Sequence, residues 1–295
     1  MNPLRDRQRR QRPHNVDRSK RRGTRQGAAG PARRSTGKAE ALVIDERTER
    51  LIIGRNPVLE ALVAGTELRC IWLSGDETRA EASDIAQAAR KAGVPLRTAS
   101  RDQIEETAAA PGHQGIVAAA SIFQYVTIEA ILARAEAQGQ PPLLLLLDHI
   151  EDPQNFGSLV RTSEAAGVHG VIIPERRAAG VTPAVGKASA GAIEHMPIAR
   201  VTNLVRTIEQ LQQAGLWVLG ADMKGERTLF EADLRGPTAL VVGSEGRGLS
   251  RLVSERCDEQ VQIPMYGLTQ SLNAAVAGAL LLYETVRQRT LRPSS

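Results

Sequence analysis

Three stretches of the chain put polar side chains where an apolar run gives way to glycines or to a helix start. The first is Leu147-Asp-His-Ile-Glu-Asp-Pro-Gln-Asn-Phe-Gly-Ser-Leu-Val-Arg-Thr162. The second is Gly243-Ser-Glu-Gly-Arg-Gly248, behind the apolar run Ala239–Val242. The third is Gln262-Ile-Pro-Met-Tyr-Gly-Leu-Thr-Gln-Ser-Leu-Asn-Ala-Ala-Val-Ala277. In the first, Asn155 reads as the N-cap of a helix that begins near Phe156 and stops at Gly167. Gly157 and Ser158 would then leave amides at the positive helix end, where a phosphate fits. Arg161, one turn further on, could add a bidentate phosphate contact. In the second, glycines let backbone approach a ligand closely, and Glu245 would repel a phosphate. That favours a ligand carrying positive charge or hydroxyls. In the third, Ser271 reads as the cap of an apolar helix. Each stretch also has a plainer reading, as a cap, a solvent-facing helix residue or a β–α turn.

The elements that must position these residues follow from periodicity. Leu143–Leu147, bounded by Pro142 and Asp148, reads as a buried strand. Further strands are predicted at Val171–Ile173, His195–Ile198, Leu216–Ala221, Ala239–Val242 and Gln260–Ile263, with helices such as Asn203–Ala214 between them. The pattern implies a mainly parallel sheet with helices on both faces. Upstream, Pro57 reads as a first-turn proline with Asn56 as cap, and Gly65 closes that helix. Strands at Cys70–Leu73, Val94–Arg97 and Gly115–Ala120, with a helix at Asp84–Ala92, complete a smaller α/β unit. Phe123–Gln140 reads as a connector containing a short helix. The expected organisation is an arm (1–47), a small α/β domain (48–122), a linker (123–141) and a larger α/β domain (142–295).

In their order and content, the three junctions resemble the signature motifs of the SpoU family, RNA ribose 2′-O-methyltransferases of the knotted SPOUT class. The resemblance covers about Leu51 to Arg289. It implies a C-terminal trefoil-knotted α/β catalytic domain and S-adenosylmethionine as methyl donor. The preceding small domain, through Gly54-Arg-Asn-Pro-Val-Leu-Glu-Ala-Leu62 and His113-Gln-Gly-Ile-Val117, is similar to a ribosomal-protein-like substrate-binding domain. By resemblance, Asn155, Arg161, Glu245, Ser271 and Asn273 are catalytic, while Gly243, Ile263, Leu268 and Leu272 hold the donor. Arg55, Lys187 and Arg200 are candidates for RNA contact, although a solvated loop explains Lys187 and Arg200 equally well. No metal is implied, and the expected assembly is a homodimer. The family often has serine where this chain has Ala275, a change expected to alter only packing.

Methylating a ribose hydroxyl requires a dry, fixed donor, an oxygen in line with the methyl group, and a route for the hydroxyl proton. A guanidinium stays protonated, so Arg161 suits phosphate clamping better than proton abstraction. The proton acceptor stays open. The chain most resembles bacterial enzymes that methylate a guanosine ribose in large-subunit ribosomal RNA. A tRNA ribose methyltransferase of the same family and a non-catalytic RNA-binding or ribosome-assembly factor are the alternatives. A nicotinamide-dependent oxidoreductase is disfavoured, because the glycines run G-x-x-G-x-G and come late in the chain.

Composition sets the remaining bounds. The chain is 42% hydrophobic, enough for a substantial core, and only 3% aromatic, too few for RNA binding built mainly on base stacking. Cys70 and Cys257 make neither a disulfide framework nor a metal motif. That cysteine usage implies a reducing, cytoplasmic setting; the first residues are basic without an apolar stretch, and no apolar run is long enough to span a bilayer. Net charge is +5, but residues 1–38 carry 13 Lys/Arg against Asp6 and Asp17, while the rest carries 25 Lys/Arg against 31 Asp/Glu. All the excess positive charge is therefore in the arm. With no aromatic residue and few apolar ones, that segment cannot offset its ordering entropy by burial, and it suits phosphate contact. If about half of its basic residues engage single-stranded RNA, deleting residues 1–38 is expected to flatten the slope of log affinity against log salt by about 4–5 units. Salt titrations of RNA binding for the full chain and for a chain starting near Ala39 check this. Equal slopes would make the arm a solubility or targeting segment.

Overall fold

A run of five leucines has no polar face and needs apolar neighbours on both sides. The computed structural model, which describes residues 42–75, 79–109, 112–269 and 271–291, places that run at the centre of a parallel sheet. Two sheets are formed. The first is built from β1 (Glu49–Ile53), α1 (Arg55–Ala64), β2 (Leu68–Ser74), α2 (Arg79–Ala92), β3 (Leu96–Ala99), α3 (Arg101–Ala108) and β4 (Ile116–Ser121). Its strand order is β1-β4-β2-β3, antiparallel except for the β2–β3 pair. The second part contains α4 (Ile128–Ala137), β5 (Leu143–Asp148), α5 (Pro153–Ala165), β6 (Gly170–Pro174), α6 (Pro183–Ala188), β7 (Ile198–Val201) and α7 (Leu204–Gln213). It continues with β8 (Trp217–Ala221), β9 (Arg227–Thr228), β10 (Thr238–Gly243), α8 (Arg251–Arg256), β11 (Glu259–Gln262) and α9 (Ala274–Thr290). Its sheet runs β7-β6-β5-β10-β8-β11-β9, and every pairing is parallel.

The period of two along β5 divides the core. Leu143, Leu145 and Leu147 pack with Phe156, Leu159 and Leu281 on one face, while Leu144 and Leu146 pack with Ile131, Ile208 and Val253 on the other. The start of β5 is tied to β6 through His169, whose Nδ1 accepts from Leu143 N at 3.0 Å. Burial pushes the pKa of that imidazole down. Gly278 lets α9 lie against α5, since a Cβ there would overlap Leu159.

Several sequence expectations shift. Helix α1 starts at Arg55 with Gly54 as its cap, not with Asn56 capping a helix opened by Pro57. Pro57 is the third helical residue, still among the first-turn positions whose amides have no intrahelical partner. The strand expected at His195–Ile198 starts at Ile198. Ala192–Glu194 is a 3-10 turn with His195 at its end. Helix α3 was not anticipated, although Ser100 and Gln103 form a capping box. The expected linker is packed: Val126 bridges to Ala199, and Ile128 and Ile131 enter the core. Of the expected arm, only residues 42–47 fall within the described residues. Leu42 and Ile44 there pack against the first sheet. No helix among the described residues is long and apolar enough to cross a membrane.

The first sheet is docked to the second part by a buried ion pair. Arg50 donates both terminal nitrogens to Glu194, at 2.8 and 2.6 Å, and Thr66 Oγ1 donates to the same carboxylate at 2.8 Å. The Glu194 side chain is 2% exposed. Beside it, His195 Nε2 lies 2.9 Å from Glu60 Oε2, and Arg50 stacks over Phe123. Removing one member of a buried pair strands the other. Glu194→Ala is expected to lower stability by about 3 kcal/mol in urea unfolding, and Thr66→Val by about 1 kcal/mol. Equal, small effects would mean that the pair is solvated.

Candidate active site

Parallel register brings the three junctions to one edge. Asp148 at the end of β5 pairs with Gly243 at the end of β10, while β8 lies between β10 and β11. Ligands in open α/β sheets gather at such carboxyl ends.

At the first junction, α5 starts at Pro153. Its cap is Asp152, whose Oδ2 accepts from Asn155 N at 2.9 Å. The expected cap, Asn155, and the expected start near Phe156 are therefore both displaced. A proline at the first helical position fixes the earlier start. Gly157 and Ser158 consequently lie in the second turn, where amides are used within the helix. Gly157 is buried against Ala188 and Ser189, so the expected phosphate site at these amides is absent from the fold. The Asp152 carboxylate takes the favourable place for negative charge at the helix start.

The third junction is displaced in the same way. Helix α9 is capped by Asn273, not by Ser271: Asn273 Oδ1 accepts from Ala275 N at 2.9 Å and Val276 N at 3.4 Å. With Oδ1 held by these amides, Nδ2 must face away from the helix. It donates to Asn155 Oδ1 at 2.9 Å and to Glu245 Oε2 at 3.3 Å. One side chain thus caps a helix and joins all three junctions.

At the second junction, Ser244–Gly248 is a tight loop closed by Gly248 N donating to Ser244 O at 2.9 Å. Gly246 and Gly248 have φ of 78° and 65°, a region that favours glycine. A Cβ at Gly243 would overlap the Gly248 carbonyl. The glycine expected to admit a ligand therefore admits the chain's own return. A second crossing lies alongside. Residues 222–226 carry the chain from β8 across β11 to β9, and a Cβ at Gly225 would sit 2.7 Å from Gln260 O.

Two concavities flank the Ser244–Leu249 loop. One is a cleft of about 510 Å³ whose walls include Gly243, Leu249, Ile263, Ser271 and Leu272, with Asp222, Met223 and Lys224 from the loop after β8. The other is a groove of about 710 Å³ bordered by His149, Asp152, Asn155, Arg177, Glu245 and Arg247. Of the expected donor residues, Gly243, Ile263 and Leu272 line the cleft. Leu268 does not, because its side chain is fully exposed to solvent. Arg161 is exposed, makes no hydrogen bond or ion pair with a described residue, and lines neither concavity. Arg55 is paired with Asp84. Arg200 stacks over Tyr125 and donates to Glu175 O at 3.1 Å, and Lys187 lies beside Gly112. None of these three borders the cleft or the groove.

Sequence reasoning missed Asp222, Met223, Lys224, His149, Arg177 and Arg247 as wall residues. A signal existed for the first three: Asp222-Met-Lys-Gly225 is another polar, glycine-ended stretch behind a strand. Cys257 is no nucleophile, since burial pushes its thiol up to about 12. Among the described residues, no group of three His, Cys, Asp or Glu side chains is gathered to hold a metal.

The loop crossing is directly testable. Gly243→Ala is expected to cost about 1–3 kcal/mol through overpacking, because the obstructing atoms are backbone. Gly236→Ala, with open space around it, is expected to stay within about 0.5 kcal/mol of wild type. Thermal melts of the two variants check this. Similar small shifts in both would show that the crossing has slack.

Comparison with known proteins agrees with this fold. Residues 142–283 match the SpoU rRNA Methylase family, and residues 51–126 match a family described as RNA 2′-O ribose methyltransferase substrate binding. YacO of Bacillus subtilis, whose name assigns it to the TrmH family of tRNA/rRNA methyltransferases, is 42% identical over 81% of this chain and 95% of its own. A tRNA/rRNA methyltransferase of Mycolicibacterium vanbaalenii, described as uncharacterized, is 43% identical over 81% of this chain and 76% of its own. Among solved structures, the SpoU methyltransferase AviRb of Streptomyces viridochromogenes, in complex with AdoMet, superposes with a TM-score of 0.68. It has 30% identity over 82% of this chain and 90% of that one. With two family matches in order and relatives aligned along most of their length, the chain belongs to the SpoU (TrmH) family of RNA methyltransferases.

Proposed function

We propose that the protein transfers a methyl group from S-adenosylmethionine to a ribose 2′-hydroxyl of RNA, and that its target is a guanosine of large-subunit ribosomal RNA. The observation that carries the reading is the wall shared by cleft and groove. Ser244, Glu245, Arg247, Gly248 and Leu249 border both, and Asn273 ties Asn155 of the groove to Glu245 of that wall. A donor on one side would meet a hydroxyl on the other.

The cleft suits the donor. Its volume of about 510 Å³ is in the range of small-molecule sites. Leu249, Ile263 and Leu272 offer apolar surface for an adenine, and the Glu245 and Asp222 carboxylates suit hydroxyls and positive charge. When bound, S-adenosylmethionine supplies an electrophilic methyl group on a sulfonium sulfur. The protein's part is to orient and to exclude water: Asn273 holds Asn155 and Glu245 in fixed positions, and Arg177 and Arg247 offer cations to the RNA backbone. Arg161 serves as an outlying phosphate clamp, with the first sheet and Arg55, Lys187 and Arg200 contributing to RNA docking.

Ribosomal RNA is favoured by the description of the matching family. The relatives' names carry tRNA as well, so a tRNA ribose is the second reading. A homodimer is supported by the half-exposed apolar face of α9, where Val276, Leu280 and Tyr283 adjoin Ser158 and Thr162 of α5. The passage of β11 beneath residues 222–226 supports the knotted topology. The place of work is the cytoplasm.

Incubation with methyl-labelled donor and RNA from cells lacking the protein is expected to put label on a ribose 2′-oxygen of large-subunit RNA. Label on a base would overturn the reaction, and label confined to tRNA would select the second reading. Asn155→Ala and Asn273→Ala are expected to lower turnover about 100-fold while calorimetric donor affinity changes little. Lost affinity with unchanged turnover at saturating donor would refute the assignment.

A further inference from the structure

His149 has a backbone φ of 60°, a left-handed conformation that glycine or asparagine adopts with less strain. The histidine at this position sits between a buried carboxylate and the groove. Its Nδ1 lies 2.6 Å from Asp148 Oδ1, and the other oxygen of Asp148 accepts from Ser250 N at 2.6 Å. Asp148 is buried, whereas the His149 side chain is 33% exposed. A carboxylate can only accept, so Nδ1 carries the hydrogen and the lone pair of the neutral ring is on Nε2. Nε2 makes no hydrogen bond with a described residue, and the ring borders the same groove as Asn155 and Glu245.

We propose that His149 Nε2 accepts the proton of the RNA 2′-hydroxyl, with Asp148 as the positioning residue that fixes the tautomer and stabilises the imidazolium. This rests on the methyl transfer proposed above. As the 2′-O–H bond breaks, its electron pair forms the new O–CH3 bond. The methyl–sulfur bond breaks with its pair left on sulfur, and the proton goes to Nε2 and then to solvent through the open groove. The arrangement supplies what a guanidinium cannot, a ring nitrogen whose lone pair can accept a proton. The charged groups facing it are Asp148, Glu151, Asp152 and Glu245, with Arg177 and Arg247 opposed. The arginines suit the phosphates that flank a ribose.

Two variants keep the backbone comfortable at φ 60°, His149→Asn and His149→Gly. Single-turnover methyl transfer to RNA from cells lacking the protein, at saturating S-adenosylmethionine, is measured between about pH 5.5 and 8. The wild-type rate is expected to fall on acidification, because protonated Nε2 no longer accepts. His149→Asn is expected to be about 100-fold slower at neutral pH and to lose that acid limb, with calorimetric donor affinity unchanged. Added imidazole is expected to restore part of the His149→Gly rate, which a merely structural histidine would not allow. Nitrogen-15 spectra of histidine-labelled protein, with His149 assigned by its loss in His149→Asn, are expected to show the Nδ1–H tautomer and a titration midpoint matching the acid limb. An Nε2–H tautomer, or a His149→Asn profile with the acid limb intact, would overturn the proposal. Failure of the wild type to label any RNA would instead overturn the methyl transfer on which it rests.

Discussion

A carboxylate shut away from water must find hydrogen-bond donors, and Asp148 finds them on two sides. It ends the central strand β5 and is 2% exposed. One oxygen takes the amide of Ser250, at the far end of the glycine loop, and the other meets the His149 ring. The loop that follows β10 is thereby tied to the end of β5, beyond what the strand register alone imposes. That loop is the common wall of cleft and groove. If Asp148 lost its partners, the wall would lose its anchor and His149 its orientation, while the leucine core beneath would remain.

The same edge is shaped by backbone passing close to backbone. Glycines at 225 and 243 leave no room for a Cβ, and both lie where one part of the chain crosses another. Crossings of this kind bring amides and carbonyls, as well as side chains, to the cleft wall. They leave Asn273 to make the polar connection, with its oxygen committed to a helix start and its nitrogen to Asn155 and Glu245. The orientation of the amide follows from the capping geometry, so helix and site share one constraint.

Coupling between the two sheets has a different basis. The Arg50–Glu194 pair with Thr66, the Glu60–His195 contact and the close approach of Gly191 to Glu60 join β1 and α1 to the turn that precedes β7. A half-satisfied buried pair is costly, so the contact favours one arrangement. Anything bound by the first sheet is then held at a set orientation to the groove.

The sequence by itself determined the strand-and-helix alternation, the parallel sheet and the three strand-end junctions. A leucine run without a polar face, glycines behind apolar runs and capping residues before amphipathic stretches are local signals. The motifs also named Asn155, Glu245 and Asn273, which the fold does bring together. Which residue does which job was decided only in three dimensions. Asp152 and Asn273 cap the helices expected to be capped by Asn155 and Ser271, because Pro153 and the capping bonds of Asn273 set the starts three and two residues away. Leu268 was indistinguishable in sequence from Ile263 and Leu272, yet it points to solvent. The part played by Arg177, Arg247 and His149 was hidden, because a groove is made from loops distant in sequence, and periodicity carries no information about which loops meet. The crossing at Gly225 was hidden for the same reason. It depends on β11 pairing between two strands formed earlier in the chain, a long-range choice that no local propensity records.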